Sequence, residues 1–430
     1  MTRTSRRTLL KGLGAGSVAG LTGLAGCTGG DGGDGGDGGA ATDTATGTPG
    51  DMGPTEFTAG VFGPFTGPFA PWGPATELGA TLAAENLEEE LGVDITINTY
   101  DTEVNPSAAL DRMKRAVTAD GVDFTQGALS SAVCTTIGTW ASDNGVIYLA
   151  DGASDTLTGA NCKPYMFRTY PSNTMMSRSV APRMADIADS WYVMYSDYVW
   201  GQNAQGTITK LLEEEGSSVA GVEATPFPHD DYTQFLNNAV NADVEGIAMI
   251  LPGLEPTKAL QQARNQGALE GHKIMVHQNE AMTQWSLGKW AAAQLDASAV
   301  GWNNAVEGGE EFKTSVADRG DVDPMVRHYT AFIAMDQVVR AAVRAGSKDA
   351  EDIRLELEGH EIESEAVKAV ESGTQYWRAC DHSLVKPVYT ISGRSEGDMT
   401  DSPYKSWFNV ESSLAGDDVI RACEETGCSF

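Results

Sequence analysis

"FTAGVFGPFTGPFAPWGPATELGATLAAENLEEELGVDITINTY", residues 57–100, carries the fold in miniature. "FTAGVF" (57–62) reads as a buried strand. "PATELGATLAAENLEEEL" (74–91) reads as a helix, with Leu78 and Leu82, then Leu87 and Leu91, each four apart on one face. "VDITINTY" (93–100) reads as the next strand. Downstream the alternation continues: a helix opened by Pro106, the strand "VDFTQGAL" (122–129), a helix from about Ser131 and the strand "VIYLA" (146–150). A βαβαβαβ order implies a parallel sheet with helices on both faces. The pattern restarts after "RTYPSN" (168–173). Helices are expected near 175–189, 203–215, 232–241, 256–266 and 284–295, with strands "WYVMY", "VAGVEA", "GIAMIL" and "KIMVH" between them. The expectation is an α/β chain of two doubly wound parallel-sheet lobes. A long helix from Pro324 to Gly346 follows, then strands at "PVYTI" and "WFNV".

The chain has 430 residues, with 29 Lys and Arg against 60 Asp and Glu, a formal net charge of −31. Phosphate neutralisation needs clustered basic residues, so nucleic acid is excluded as a partner. The acid is spread along the chain, which suits a solvated surface exposed to high salt, where screening weakens self-repulsion.

Residues 1–26 combine Arg6-Arg7, a weakly apolar run and small residues before Cys27. "SRRTLLK" (5–11) is close to a twin-arginine export signal and "LAGC" (24–27) resembles a lipobox, which makes Cys27 the lipidation site. The run is too weakly apolar to span a membrane stably. Residues 27–54, rich in Gly, Asp and Thr, read as a flexible tether holding an exported body near the outer face of the cytoplasmic membrane.

Several blocks then match one known family in order: "FGPFTGPFAPWGPATELGATLAAENL" (62–87), "GVDFTQGALSSAV" (121–133), "GVIYLADGASDTLTGANCKPYMFRTYPSN" (145–173), "WGQNAQG" (200–206), "HYTAFIAMDQVVRAAVRAGS" (328–347) and "WRACDHSLVKPVYT" (377–390). The chain resembles the leucine/isoleucine/valine-type solute-binding proteins of ABC importers. The resemblance implies two lobes joined by a multi-crossover hinge, residues 55–170 plus 303–385 forming one and 171–302 plus 386–430 the other, closing over a ligand. It also implies a permease and its ATPase as membrane partners, and no enzymatic activity.

Residue by residue, Ser131, Gly152 and Ser154, with Ala153 between them, match the family's carboxylate-binding positions. Each lies where a strand hands over to a helix or turn, so hydroxyls and outward-pointing amides converge. Serine at such a place also serves as an ordinary helix cap. Trp72 and Trp200 match aromatics that cover the ligand from opposite lobes. In "VHQNEAM" (276–282), Asn279 is the direct match to the family's ammonium-binding carboxylate, and Glu280 takes that role with a shift of one. In "LPGLEPT" (251–257), Gly253 or Leu254 replaces a contacting tyrosine. The expected ligand is a branched-chain or other apolar amino acid. A short amide, urea or an aromatic acid is the alternative within the binding class, and an exported sensory or hydrolytic protein lies outside it.

No Walker loop follows a strand, and His272 and His277 are too poorly spaced to share a metal, so neither cofactor nor metal is expected. Asp381-His382 is read as structural. Five cysteines remain after Cys27, leaving at least one thiol unpaired; Cys134 with Cys162, and Cys380 with Cys423 or Cys428, are conceivable bridges.

Overall fold

The computed structural model describes residues 53–320 and 322–430. The expected twin-arginine signal, the expected lipidation site Cys27 and nearly all of the expected tether lie outside the described residues. The first sheet takes β1 (Glu56–Gly63), β2 (Asp94–Asp101), β3 (Phe124–Gly127), β4 (Ile147–Ala150) and β5 (Met166–Arg168), all parallel in the order β2-β1-β3-β4-β5. Between them run α1 (Trp72–Leu91), α2 (Pro106–Thr118) and α3 (Ser131–Asp143). The central strands β3 and β4 are buried throughout, whereas the edge strand β2 is mostly exposed or half-buried. That difference follows from helices covering both faces of the middle of a parallel sheet. Local chemistry sets the helix ends: the Asn105 side chain accepts from the Ser107 and Ala108 N–H groups ahead of α2, and Gly92 takes a left-handed φ of 70° to close α1.

The second sheet is laid down by α4 (Asn173–Ile187), β6 (Ser190–Ser196), α5 (Val199–Glu214), β7 (Ser218–Thr225), α6 (Thr233–Asn241), β8 (Gly246–Ile250), α7 (Glu255–Asn265) and β9 (Lys273–Val276), in parallel order β7-β6-β8-β9. The helix expected at 284–295 is instead two short ones, α8 (Met282–Leu287) and α9 (Lys289–Ala293), because Gly288 at φ 97° breaks the spiral. The α5 helix begins four residues before the expected start and takes Trp200 into its first turn.

The chain then forms β10 (Ser298–Val300), returns to the first sheet with α10 (Glu310–Arg319) and α11 (Val326–Ala345), and packs α11 along α1 and against β3. Strands β11 (Tyr376–Trp377) and β12 (Leu384–Val385) pair beside β5, where Arg168 donates its N–H to the His382 carbonyl. Strands β13 (Val388–Gly393) and β14 (Phe408–Leu414) form an antiparallel sheet with β10, which itself bridges to β9.

Disulfides join Cys162 to Cys428 and Cys380 to Cys423, while Cys134 is buried and, among the described residues, free. The suggested Cys134–Cys162 bridge is therefore wrong. Cys134 sits inside α3 with its thiol at the Gly127 carbonyl, and Cys162 lies in the loop ahead of β5, where the C-terminal tail reaches it. Asp381 pairs with Arg378, and the His382 ring meets Glu358 at 2.8 Å rather than its neighbour.

Candidate functional site

The site lies where the C-terminal ends of both parallel sheets face one another. Leaving β3, the chain passes through three successive positive φ values, at Gly127, Ala128 and Leu129, before Ser131 opens α3. Only glycine fits position 127, since a Cβ would run into the Phe62 carbonyl. The unusual backbone is held in part by Asp151, just past β4, whose carboxylate accepts the Leu129 N–H. Ser131 Oγ accepts the Ser154 N–H at 3.1 Å, and Gly152 permits this approach: a Cβ there would sit 3.1 Å from the same oxygen.

From the second sheet, Trp200 donates its indole N–H to Gln278 Oε1 at 2.8 Å, and Gln278 Nε2 donates to Glu280 at 2.9 Å. Aromatic rings run across the mouth: Trp72 packs edge-on to Phe69, Phe69 stacks with Phe227, Phe227 with Tyr198, and Tyr198 lies against Trp200. Gly253, at φ 59°, leaves room for the Phe69 ring.

These groups surround a cavity of about 540 Å³, part of it open to solvent, within which the centre of a water molecule has about 40 Å³. Trp72, Ser131, Ala153, Trp200, Asn279 and Glu280 all line it. Gly152, Ser154 and Leu254 are not among its walls. Ser154 caps the turn that follows, accepting the Thr156 N–H, and Leu254 packs beside Phe69 and Trp72.

Glu280 has a partner that the sequence did not suggest. Arg327, in the first turn of α11 and fully buried, holds both Glu280 carboxylate oxygens, with Nε at 3.0 Å from each. Its Nη1 donates to the Asp151 carbonyl at 2.6 Å and approaches the Asp151 carboxylate at 3.3 Å, while the guanidinium lies 4.1 Å from the Tyr170 ring. Burial opposes the charge of Arg327, yet Glu280 and Asp151 together hold it above the ordinary guanidinium value. Burial pushes the Asp151 carboxyl up against the pull of Arg327. Two carboxyl groups thus share one guanidinium behind the Glu280 part of the wall. Nearby His277 is pulled by burial down to about 4, so it is neutral at neutral pH.

Sequence reading missed Arg327, Asp151, Phe69, Gln278 and Tyr198. The run of turn-prone residues between Phe62 and Trp72 was the available pointer to Phe69. Nothing local singles out an arginine in the first turn of a long helix.

A family model for periplasmic binding proteins matches residues 56–398, most of the chain and every residue that lines the cavity. The chain belongs to the periplasmic binding protein family. Among curated relatives of this binding protein, a Leu/Ile/Val-binding protein homolog 4 from Brucella abortus (strain 2308) is 32% identical over 139 residues, 30% of this chain and 33% of the relative. The leucine-, isoleucine-, valine-, threonine- and alanine-binding protein of Pseudomonas aeruginosa is 24% identical over 48% of this chain and 56% of its own length. The matches to these relatives thus span about a third to a half of their length. Solved structures agree in fold. An amino acid ABC transporter substrate-binding protein from Pseudomonas fluorescens Pf-5 superposes with a TM-score of 0.79 at 21% identity, covering 87% of this chain and 99% of that one. The closed leucine-, isoleucine-, valine-, threonine- and alanine-binding protein of Brucella ovis gives 0.74 at 20% identity, covering 87% and 98%.

Proposed function

We propose that this periplasmic binding protein is an exported receptor that captures a small amino acid between its lobes and passes it, unchanged, to an ABC permease and its ATPase. The lobes are residues 55–170 with 303–385, and 171–302 with 386–430. The observation that carries the reading is the pairing, in one cavity, of the Ser131 end of α3 with the Glu280 carboxylate. The first offers a hydroxyl and helix-terminal N–H groups to a carboxylate. The second shares the Arg327 guanidinium with Asp151 and offers an acidic partner to an α-ammonium group. Phe69, Trp72 and Trp200 offer apolar cover for the carbon body of the side chain. The relatives' names, which specify amino acids, point the same way. Anchoring through a lipid on Cys27 completes the proposal; fatty-acid labelling that survives Cys27→Ala would refute it.

A short amide or urea is the second reading, favoured by the neutral Asn279 beside Glu280. A thermal-shift screen of the purified protein in molar salt against amino acids, amides and urea tests both. A ligand at about 100 times its Kd stabilises by about 2.7 kcal/mol. An upward shift with amino acids is expected. A response to amides alone, or to nothing, rejects the first choice.

A further inference from the structure

Asn279 occupies the cavity wall with 2% of its surface exposed, and its backbone N–H is fixed to Ser298 Oγ at 2.9 Å. Neither Oδ1 nor Nδ2 of its side chain has a hydrogen-bond partner among the described residues. Across the same cavity, Trp72 is 3% exposed and its indole N–H is likewise unpartnered. The other polar groups named in the wall are engaged: Gln278 by Trp200 and Glu280, Glu280 by Arg327, and Ser131 Oγ by Ser154. At residues that line the cavity, Asn279 Nδ2 and Trp72 Nε1 are therefore unmatched donors and Asn279 Oδ1 an unmatched acceptor, beside the hydroxyl-bearing Ser130, Tyr198 and Thr283.

Leaving such groups buried and unmatched is costly, so a site of this kind discriminates strongly against a ligand that cannot pair with them. A purely apolar side chain would strand all three. A carboxylate would answer the donors and face Oδ1 with a second acceptor. A hydroxyl or a carboxamide gives one or more protons to Oδ1 and has lone pairs for both donors. We infer that the solute carries an uncharged group that both donates and accepts a hydrogen bond, a hydroxyl or a carboxamide, which Asn279 and Trp72 read. The inference rests on the receptor reading above: with the α-carboxylate at Ser131 and the α-ammonium at Glu280, the Asn279 amide is left for the side chain.

Calorimetric titration of the purified protein with near-isosteric pairs, threonine against valine and asparagine against leucine, decides it, with acetamide and urea as further arms. At least one polar member should bind tenfold or more tightly than its apolar partner; the pair that does so distinguishes hydroxyl from carboxamide. Asn279→Leu should bring that ratio to about one, whereas Ser131→Ala should weaken both members equally and leave the ratio intact. The wild-type ratios need no variant, so a misfolded Asn279→Leu does not blunt the test. Valine and leucine binding as well as their polar partners, or no binding in any arm, overturns the inference. Acetamide or urea binding while no amino acid binds would defeat the amino-acid reading and leave the polar-group inference standing.

Discussion

Arg327 draws on both sheets at once, holding Glu280 from the second and Asp151 from the first. Removing one member of a buried ion cluster typically costs about 3–5 kcal/mol, because the remaining charges lose their partner. Arg327→Met should therefore lower the unfolding free energy by about that amount in denaturant titration; a loss below about 1 kcal/mol would mean that the cluster contributes little. At this scale the sequence was only partly legible. Asn279 and Glu280 were alternatives for one role, yet both line the cavity, because Gln278 and Ala281 take positive φ values and re-aim the chain between them. Local pattern encodes neither those dihedrals nor an arginine arriving from 47 residues downstream.

Elements were more readable, since periodicity and capping are local. Strands β1 to β4 and the helices between them lie where the alternation in residues 57–150 puts them. The expected 284–295 helix failed at a single glycine, whose conformational freedom a periodicity count does not see. The α1–α11 contact shows what such counts leave out. A Cβ on Gly79 of α1 would strike the His328 carbonyl on α11, so the two helices meet backbone to backbone. Overpacking usually costs about 1–3 kcal/mol. Gly79→Ala should exceed the low end of that range, because the obstacle is backbone and cannot rotate away; an unchanged melting temperature would show that the helices separate freely.

For the whole molecule, the two parallel sheets and the two-lobe plan followed from the restart of alternation after residue 170, while the strand order and the contacts between the sheets had no sequence signal. Gly253 of the second lobe and Phe69 of the first are the sharpest case. A Cβ at 253 would collide with the Phe69 ring in this arrangement, and φ 59° disfavours any other residue. Gly253→Ala should shift the lobes toward the open form, raising Kd about tenfold or more and enlarging the radius of gyration in solution scattering at saturating ligand. Unaltered scattering and affinity would show that closure tolerates the added carbon.

The two disulfides give this motion a boundary. Strand β14 pairs with β13, yet nine residues past Leu414 the chain is bonded to Cys380 and then to Cys162, beside the edge of the first sheet. A segment of nine residues spans at most about 30 Å when fully drawn out. For the proposed lobe closure the tail would act as a check strap, leaving small rotations free and halting large ones, so that the widest opening would be set covalently, independently of any solute.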